Sequence, residues 1–149
     1  MTENGQTILL IMAAASAASD LSTGKIYNFV VLPALAGGFG ILIAEAPQSV
    51  PALLTAVILT FLLLYPLWKA GGLGAGDIKL FAAMVPYLGI GWYLTCAALS
   101  FLIAAVFSII ILFVHRDPSR KVHLAVPVGI SVMLCLLLRQ FGIQSPIQL

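Results

Sequence analysis

Gly74-Ala75-Gly76-Asp77 is a short glycine-rich segment that ends in a carboxylate and separates two long apolar runs. Acidic residues are scarce in this chain, which holds only five, at positions 3, 20, 45, 77 and 117. Glycines allow backbone segments to approach closely, and an acid beside them at the start of an apolar run points to a function. The remaining acids are the candidates for a partner of Asp77.

The composition is that of a membrane protein. The chain is 62% hydrophobic and 8% charged, with a mean hydropathy of +1.14, whereas a soluble domain is about 45–50% apolar and about 25% charged. Residues 1–149 therefore predict a single integral-membrane domain with the lipid bilayer as its surroundings. The net charge of +2 is spread over loops and indicates no nucleic-acid partner. Cys96 and Cys135 lie inside apolar runs, so neither a disulfide nor a zinc site is expected.

The apolar runs predict the fold. A membrane helix needs about 20 apolar residues, with a range of about 17–25, and lipid offers the backbone no hydrogen-bond partner outside a helix or a closed barrel. The runs cover approximately residues 7–19, 27–46, 50–68, 78–91, 92–114 and 124–138. They predict an all-α, polytopic membrane protein with about six transmembrane helices.

Basic residues predict the orientation. Arg139 stands apart from the other cations, which lie in alternate connections: Lys25, Lys69, Lys79, Arg116, Arg120 and Lys121. Because cytoplasmic loops carry the excess of Lys and Arg, these connections are predicted to be cytoplasmic, with both termini outside. The first residues contain no Lys or Arg, so the first run is expected to remain as a helix and not to be cleaved as a signal peptide.

Counting the runs gives Asp77 a partner. Asp20 ends the first run, Asp77 begins the fourth, and the two runs between them make two crossings. The two acids are therefore predicted to lie on the same membrane side at similar depth. Asp117 lies on that side among cations, where it is expected to be solvated and locally paired. Glu3 and Glu45 are predicted to face the opposite side.

A pair of neighbouring carboxyl groups suits peptide hydrolysis. Two such groups share a proton, so that one can accept a proton from water while the other donates to a carbonyl oxygen. This chemistry needs no metal and no covalent intermediate. Gly74 and Gly76 are expected to adopt backbone angles closed to other residues and to leave room for a substrate strand. The alternative is that Asp77 only caps its helix and that Asp20 only marks where the first helix meets water.

Several segments resemble the type IV prepilin peptidases. The sequence Gly-Ala-Gly-Asp-Ile-Lys-Leu at 74–80 resembles the GxGD signature and its continuation in that family. Asp20 with the sequence Thr-Gly-Lys-Ile-Tyr-Asn at 23–28 resembles the first catalytic segment, where an Ile-Pro-Asn follows the acid. Tyr27 takes the place of that proline. Pro127-Val128-Gly129 resembles the late proline–glycine motif, so the resemblance covers nearly the whole chain.

The resemblance implies a membrane aspartic endopeptidase. Such enzymes remove a short basic leader from pilin-like precursors at the cytoplasmic face of the bacterial or archaeal cytoplasmic membrane, and they use no cofactor. Asp20 and Asp77 take the places of the catalytic acids, and Gly74 and Gly76 those of the motif loop. No CxxC motif is present. In this respect the chain resembles the short, peptidase-only form of the family found in tight-adherence (Flp-type) pilus systems, and no methyltransferase activity is expected. Presenilin and signal peptide peptidase share the GxGD motif, but they place a Tyr where this chain has Ser19.

Further residues leave alternatives open. Lys79 could tune Asp77 or anchor the helix at the interface, and Asn28 is a possible supporting residue. His115 and His123 do not form the His-Glu-x-x-His motif of zinc proteases. A small transporter or channel subunit is a second possibility, although transporters place their ionisable groups near the midplane. A non-catalytic assembly protein is a third, and it would tolerate Asp77→Asn.

Overall fold

The fold is a helical bundle. The computed structural model describes residues 3–115 and 124–143. The helices are α1 (Glu3–Thr23), α2 (Asn28–Glu45), a 3-10 helix (Pro47–Ser49), α3 (Val50–Lys69), α4 (Ala75–His115) and α5 (Ala125–Gln140). No strand occurs in these two ranges, which confirms the all-α prediction.

Helix α4 turns back on itself at Gly89. This residue has non-helical angles, φ 71° and ψ 168°, inside the helical stretch. The rings of Phe81 and Phe101 stack with their centroids 5.3 Å apart, whereas a straight helix would separate positions this far apart in sequence by about 30 Å. The segments 75–88 and 90–115 are therefore antiparallel. The sequence placed this boundary between residues 91 and 92, close to the observed reversal.

The first segment of α4 forms the centre of the bundle. Leu80, Phe81, Met84 and Val85 are fully buried, because α4 packs against α1, α2, α3 and α5. Large apolar side chains are exposed on the outside of the bundle, especially on α3, where Leu63 is 71% exposed. Soluble proteins rarely expose contiguous apolar surface of this kind. The chain is an integral membrane protein, and this outer apolar face suits contact with lipid.

Three helical stretches are long and apolar enough to cross a membrane. They are Asn28–Glu45, Pro47–Lys69 and Ala75–Ile111, and Ala125–Gln140 is a shorter apolar helix. Helix α1 is not among them because polar residues, including Asn4, Gln6, Ser16 and Asp20, interrupt its apolar sequence. The total of about six transmembrane helices stays a prediction.

The alternating directions of the helices create two distinct ends. The end of α1 and the starts of α2, α4 and α5 meet at one end, which we call the aspartate end. At the other end a cavity of about 240 Å³ is lined by Gly5, Glu45, Gly89 and Arg139, among others. Glu45 thus lies away from Asp20, as the count of runs predicted. The predictions for Asp117 and for the cluster Arg116, Arg120, Lys121 and His123 concern residues outside the described ranges.

Candidate active site

Asp20 is held in the last turn of α1, against the start of α5. Its side chain is only 7% exposed, and its Oδ2 accepts a hydrogen bond of 3.3 Å from the backbone N–H of Ala125. Ala125 is the first residue of α5. The first N–H groups of a helix have no partner within the helix and carry partial positive charge, so this end of α5 favours a carboxylate.

Asp77 is the third residue of α4 and is half-buried. The backbone N–H of Gly74 donates to Asp77 Oδ2 at 2.8 Å, and the N–H of Asp77 donates to the Gly74 carbonyl at 3.1 Å. The first of these bonds is the half of a capping box in which the side chain of the third helical residue reaches back to the residue before the helix. Asp77 therefore does cap its helix, which agrees with that part of the helix-cap alternative. The cap engages Oδ2, and Oδ1 takes no part in it.

The structure brings the two acids together at the aspartate end. Asp20 and Asp77 are near enough to interact electrostatically, although they belong to different helices. Each carboxyl group is also fixed by a backbone N–H at the start of a helix. Within residues 3–115 and 124–143, no three His, Cys, Asp or Glu side chains are grouped as a metal site.

The glycines of the motif provide space and not unusual backbone angles. Positive φ angles occur at Gly24, Gly71, Gly89 and Gly142 among the described glycines, so this part of the expectation for positions 74 and 76 is wrong. A Cβ at position 76 would lie 2.8 Å from the Cβ of Ile26.

A Cβ at position 74 would in turn lie 3.0 Å from Asp77 Oδ2. Gly76 thus lets the α1–α2 connection pack on α4, and Gly74 leaves the Asp77 carboxylate in place. The close approach predicted from the glycines is real, but the chain's own Ile26 occupies the space at position 76 where a substrate strand was expected.

Lys79 and Asn28 contact each other directly. Lys79 Nζ donates a hydrogen bond of 2.9 Å to Asn28 Oδ1. The bond joins the first residue of α2 to α4 at a position just after Asp77. Lys79 is therefore fixed at the rim of the site, beside the connection that Gly76 contacts.

Two contacts of the site were not predicted from the sequence. The N–H of Ala125 and the side chain of Ile26 hold the acids' surroundings in place. A backbone N–H leaves no signal in residue type, although the nearby Pro127-Val128-Gly129 motif had marked this region. Ile26 lies inside the motif segment that follows Asp20, but within that segment the sequence points only to Asn28 as a supporting residue.

Comparison with known proteins gives one family. The model of the type IV leader peptidase family matches residues 7–113. The match includes Asp20, Asn28 and the segment from Gly74 to Lys79, and it ends before α5. No curated protein and no solved structure matches the chain.

Proposed function

The chain belongs to the type IV leader peptidase family, and we propose that it is an aspartic endopeptidase that uses Asp20 and Asp77 to remove the short basic leader from Flp-type prepilins. The observation that carries this proposal is that these two acids lie at the same end of the bundle, near enough to interact electrostatically. Membership of the family makes the chain a protease of the prepilin peptidase type. The catalytic pair and the Flp-type substrate are the added steps.

The pair can activate water without any other group. Two carboxyl groups close to each other share one proton. The ionised group accepts a proton from water as the water oxygen attacks the scissile carbonyl carbon, and the protonated group donates its proton to the carbonyl oxygen. When the tetrahedral intermediate, a gem-diol, collapses, the group that took the proton from water donates it to the leaving nitrogen and the C–N bond breaks. The other carboxylate takes the proton of one diol hydroxyl as the C=O bond forms again. The pair returns to its starting state, with one proton shared.

The local structure supports these roles. The Ala125 N–H fixes Asp20 and the Gly74 N–H fixes Asp77, so neither carboxylate has to be ordered at the moment of reaction. Such preorganisation lowers the cost of reaching the transition state. Lys79, held by Asn28, supplies positive charge at the rim of the site. We regard both as supporting residues.

Charge supports a cytoplasmic location of the site. Lys25, Lys69 and Lys79 lie at or next to the aspartate end, and Arg139 lies at the other end. Because basic residues accumulate on the cytoplasmic side, the pair is proposed to face the cytoplasm, with both termini outside. This location suits a leader that carries basic residues and has not crossed the membrane.

Aromatic side chains support a membrane boundary at the same end. Tyr27 contacts Phe29, and Tyr65 contacts Trp68, each with ring centroids 5.5 Å apart. Aromatic residues collect at the level of the lipid headgroups. We propose that residues 1–149 form one peptidase domain of about six membrane helices, with the acids at the level of this boundary.

The test is cleavage of an Flp-type pilin precursor in membranes. Asp20→Asn and Asp77→Asn are each expected to abolish cleavage while the protein is still expressed and folded. Glu45→Gln, at the opposite end of the bundle, is the matched control and is expected to cleave normally. Normal cleavage by either Asn variant would refute the catalytic pair and favour a non-catalytic assembly protein.

A further inference from the structure

A single buried stripe runs along α1 and ends at Asp20. Its members are Gly5, Leu9, Met12, Ala13, Ser16 and Asp20. Residues spaced three and four apart share one face of a helix, so Ser16 lies one turn before Asp20 on the same face. The stripe is apolar except at these two neighbouring positions.

The hydroxyl of Ser16 differs from the other buried serine hydroxyls. Ser16 is fully buried, and its Oγ has no hydrogen-bond partner among the residues that the structure describes. Ser100 and Ser131 are also fully buried, but their hydroxyls donate to backbone carbonyls at 2.7 Å and 2.9 Å. Buried polar groups are nearly always satisfied, and an exception calls for an explanation such as a catalytic role.

The surroundings of Ser16 lead to the site. Helix α5 contacts α1 at Asp20 through the Ala125 N–H. Further along α5, a Cβ at position 129 would lie 4.0 Å from the carbonyl oxygen of Ala13, so Gly129 passes close to α1. Helix α5 thus passes along the turn of α1 that carries Ser16. Side chains on a helix lean toward its N-terminus, so the carboxyl group of Asp20 leans toward this same turn.

We propose that Ser16 is a positioning residue for Asp20, whose hydroxyl forms a hydrogen bond to the Asp20 carboxyl group during the reaction. This inference rests on the proposed function. A hydroxyl both donates and accepts, so it can donate to Asp20 when the acid is ionised and accept from it when the acid is protonated. Rotation about the Cα–Cβ bond re-aims the hydroxyl between staggered positions without moving the backbone. Ser16 stabilises both states that Asp20 passes through in a cycle of proton sharing.

An unsatisfied hydroxyl kept for catalysis has a distinctive signature. Removing it should not weaken the fold, because no hydrogen bond is lost, whereas a serine with a purely structural bond would lose stability. Activity should fall all the same. Such opposite effects on stability and activity are typical of groups retained for function.

The experiment compares Ser16→Ala, Ser16→Thr and Ser131→Ala in membranes with an Flp-type pilin precursor. Ser16→Ala is expected to lower kcat about 10- to 100-fold, as for loss of a hydrogen bond to a charged group. KM should stay unchanged, and the melting temperature should stay unchanged or rise. Ser16→Thr keeps the hydroxyl and should restore most of kcat. Ser131→Ala removes a satisfied buried hydroxyl and should lower the melting temperature with little change in kcat.

Infrared spectroscopy separates this inference from the proposed function. The carboxyl stretch of Asp20, identified as the band lost in Asp20→Asn, should shift when a pilin precursor that cannot be cleaved binds to the wild-type protein. This shift should be lost in Ser16→Ala and return in Ser16→Thr. Wild-type kcat in Ser16→Ala, a lowered melting temperature in that variant, or an unshifted Asp20 band would each overturn the role of Ser16. If the wild-type protein cleaves no prepilin, the proposed function fails and the role of Ser16 fails with it, whereas normal cleavage together with an unshifted band overturns the role of Ser16 alone.

Discussion

Lys79 Nζ lies 2.9 Å from Asn28 Oδ1, and this hydrogen bond links the beginnings of α2 and α4. Beside it, Ile26 of the α1–α2 connection packs against Gly76 at the start of α4. Two neighbouring contacts therefore hold the α1–α2 connection against the residues that carry Asp77. The distance between the two acids depends on this connection, because it directly follows the turn of α1 that contains Asp20.

Lys79 and Asn28 should contribute to activity jointly, through the hydrogen bond between them. A typical hydrogen bond contributes a net of about 0.5–1.5 kcal/mol, which corresponds to about a 2- to 10-fold change in rate. Lys79→Met and Asn28→Ala are each expected to lower kcat/KM by this amount, and the double variant should be no worse than the poorer single one. The measurement is a double-mutant cycle on precursor cleavage.

Lys69→Met is the control for this cycle. Lys69 is the last residue of α3, so its loss removes a basic residue near the same end without touching the Lys79–Asn28 bond. It should leave kcat/KM close to the wild-type value. Additive effects of the Lys79 and Asn28 variants would show that the bond does not couple α2 to α4, and that Lys79 acts as an interfacial anchor.

Gly76→Ala should displace the α1–α2 connection. The added Cβ would lie 2.8 Å from the Cβ of Ile26, with the backbone of Ile26 also within reach. Overpacking of this kind typically costs about 1–3 kcal/mol. We expect a lower melting temperature and strongly reduced cleavage, measured on the same detergent-solubilised preparation.

The position of the clash specifies which second change can relieve it. Ile26→Ala retains the Cβ and should not rescue Gly76→Ala, whereas Ile26→Gly removes that atom and should recover part of the activity. Gly40→Ala is the matched control, because no other part of the described chain lies within 4 Å of its Cβ position, its own helix backbone aside. Equal rescue by the Ala and Gly changes at position 26 would contradict the proposed contact.

The sequence predicts the helices and the pairing of the acids, but only part of the site. Apolar runs identify membrane helices because lipid excludes other backbone structures, and the number of runs between Asp20 and Asp77 then places both acids at the same end. Side-chain type says nothing about a backbone donor such as the Ala125 N–H. It also could not show that Gly76 accommodates Ile26, since a close contact between distant segments depends on how the helices pack.

The reversal at Gly89 should depend on glycine for its backbone and not for space. Its φ of 71° and ψ of 168° fall in a region that is nearly closed to residues with a Cβ. Apart from its own neighbouring backbone, no atom of residues 3–115 and 124–143 lies within 4 Å of the position of its Cβ. Gly89→Ala is expected to cost about 1–3 kcal/mol through backbone strain alone.

Thermal unfolding in detergent measures this cost. The strain arises at the Cβ itself, so Gly89→Ser should be destabilised as much as Gly89→Ala, although there is room for either side chain. Gly40→Ala again serves as the control, because Gly40 lies inside α2. A melting temperature equal to that of the wild-type protein would show that the chain does not need this conformation to turn back.

Asp77 offers a way to separate helix capping from catalysis. Its Oδ2 accepts the Gly74 N–H, and an Asn side-chain oxygen can accept the same hydrogen bond. Asp77→Asn should therefore keep most of the cap, whereas Asp77→Ala should lose it, at about 0.5–2 kcal/mol as for other helix caps. The melting temperature should fall clearly in Asp77→Ala and much less in Asp77→Asn.

Cleavage should not follow that order of stability. Neither variant can accept a proton from water or hold one for the carbonyl oxygen, so both should be inactive to the same extent, even though one folds almost as well as the wild-type protein. If Asp77 were only a cap, Asp77→Asn would instead cleave nearly normally and Asp77→Ala would lose activity in proportion to its lost stability. Measuring cleavage and melting temperature on the same samples distinguishes the two cases, because only a catalytic carboxylate makes the activity of Asp77→Asn vanish while its fold persists.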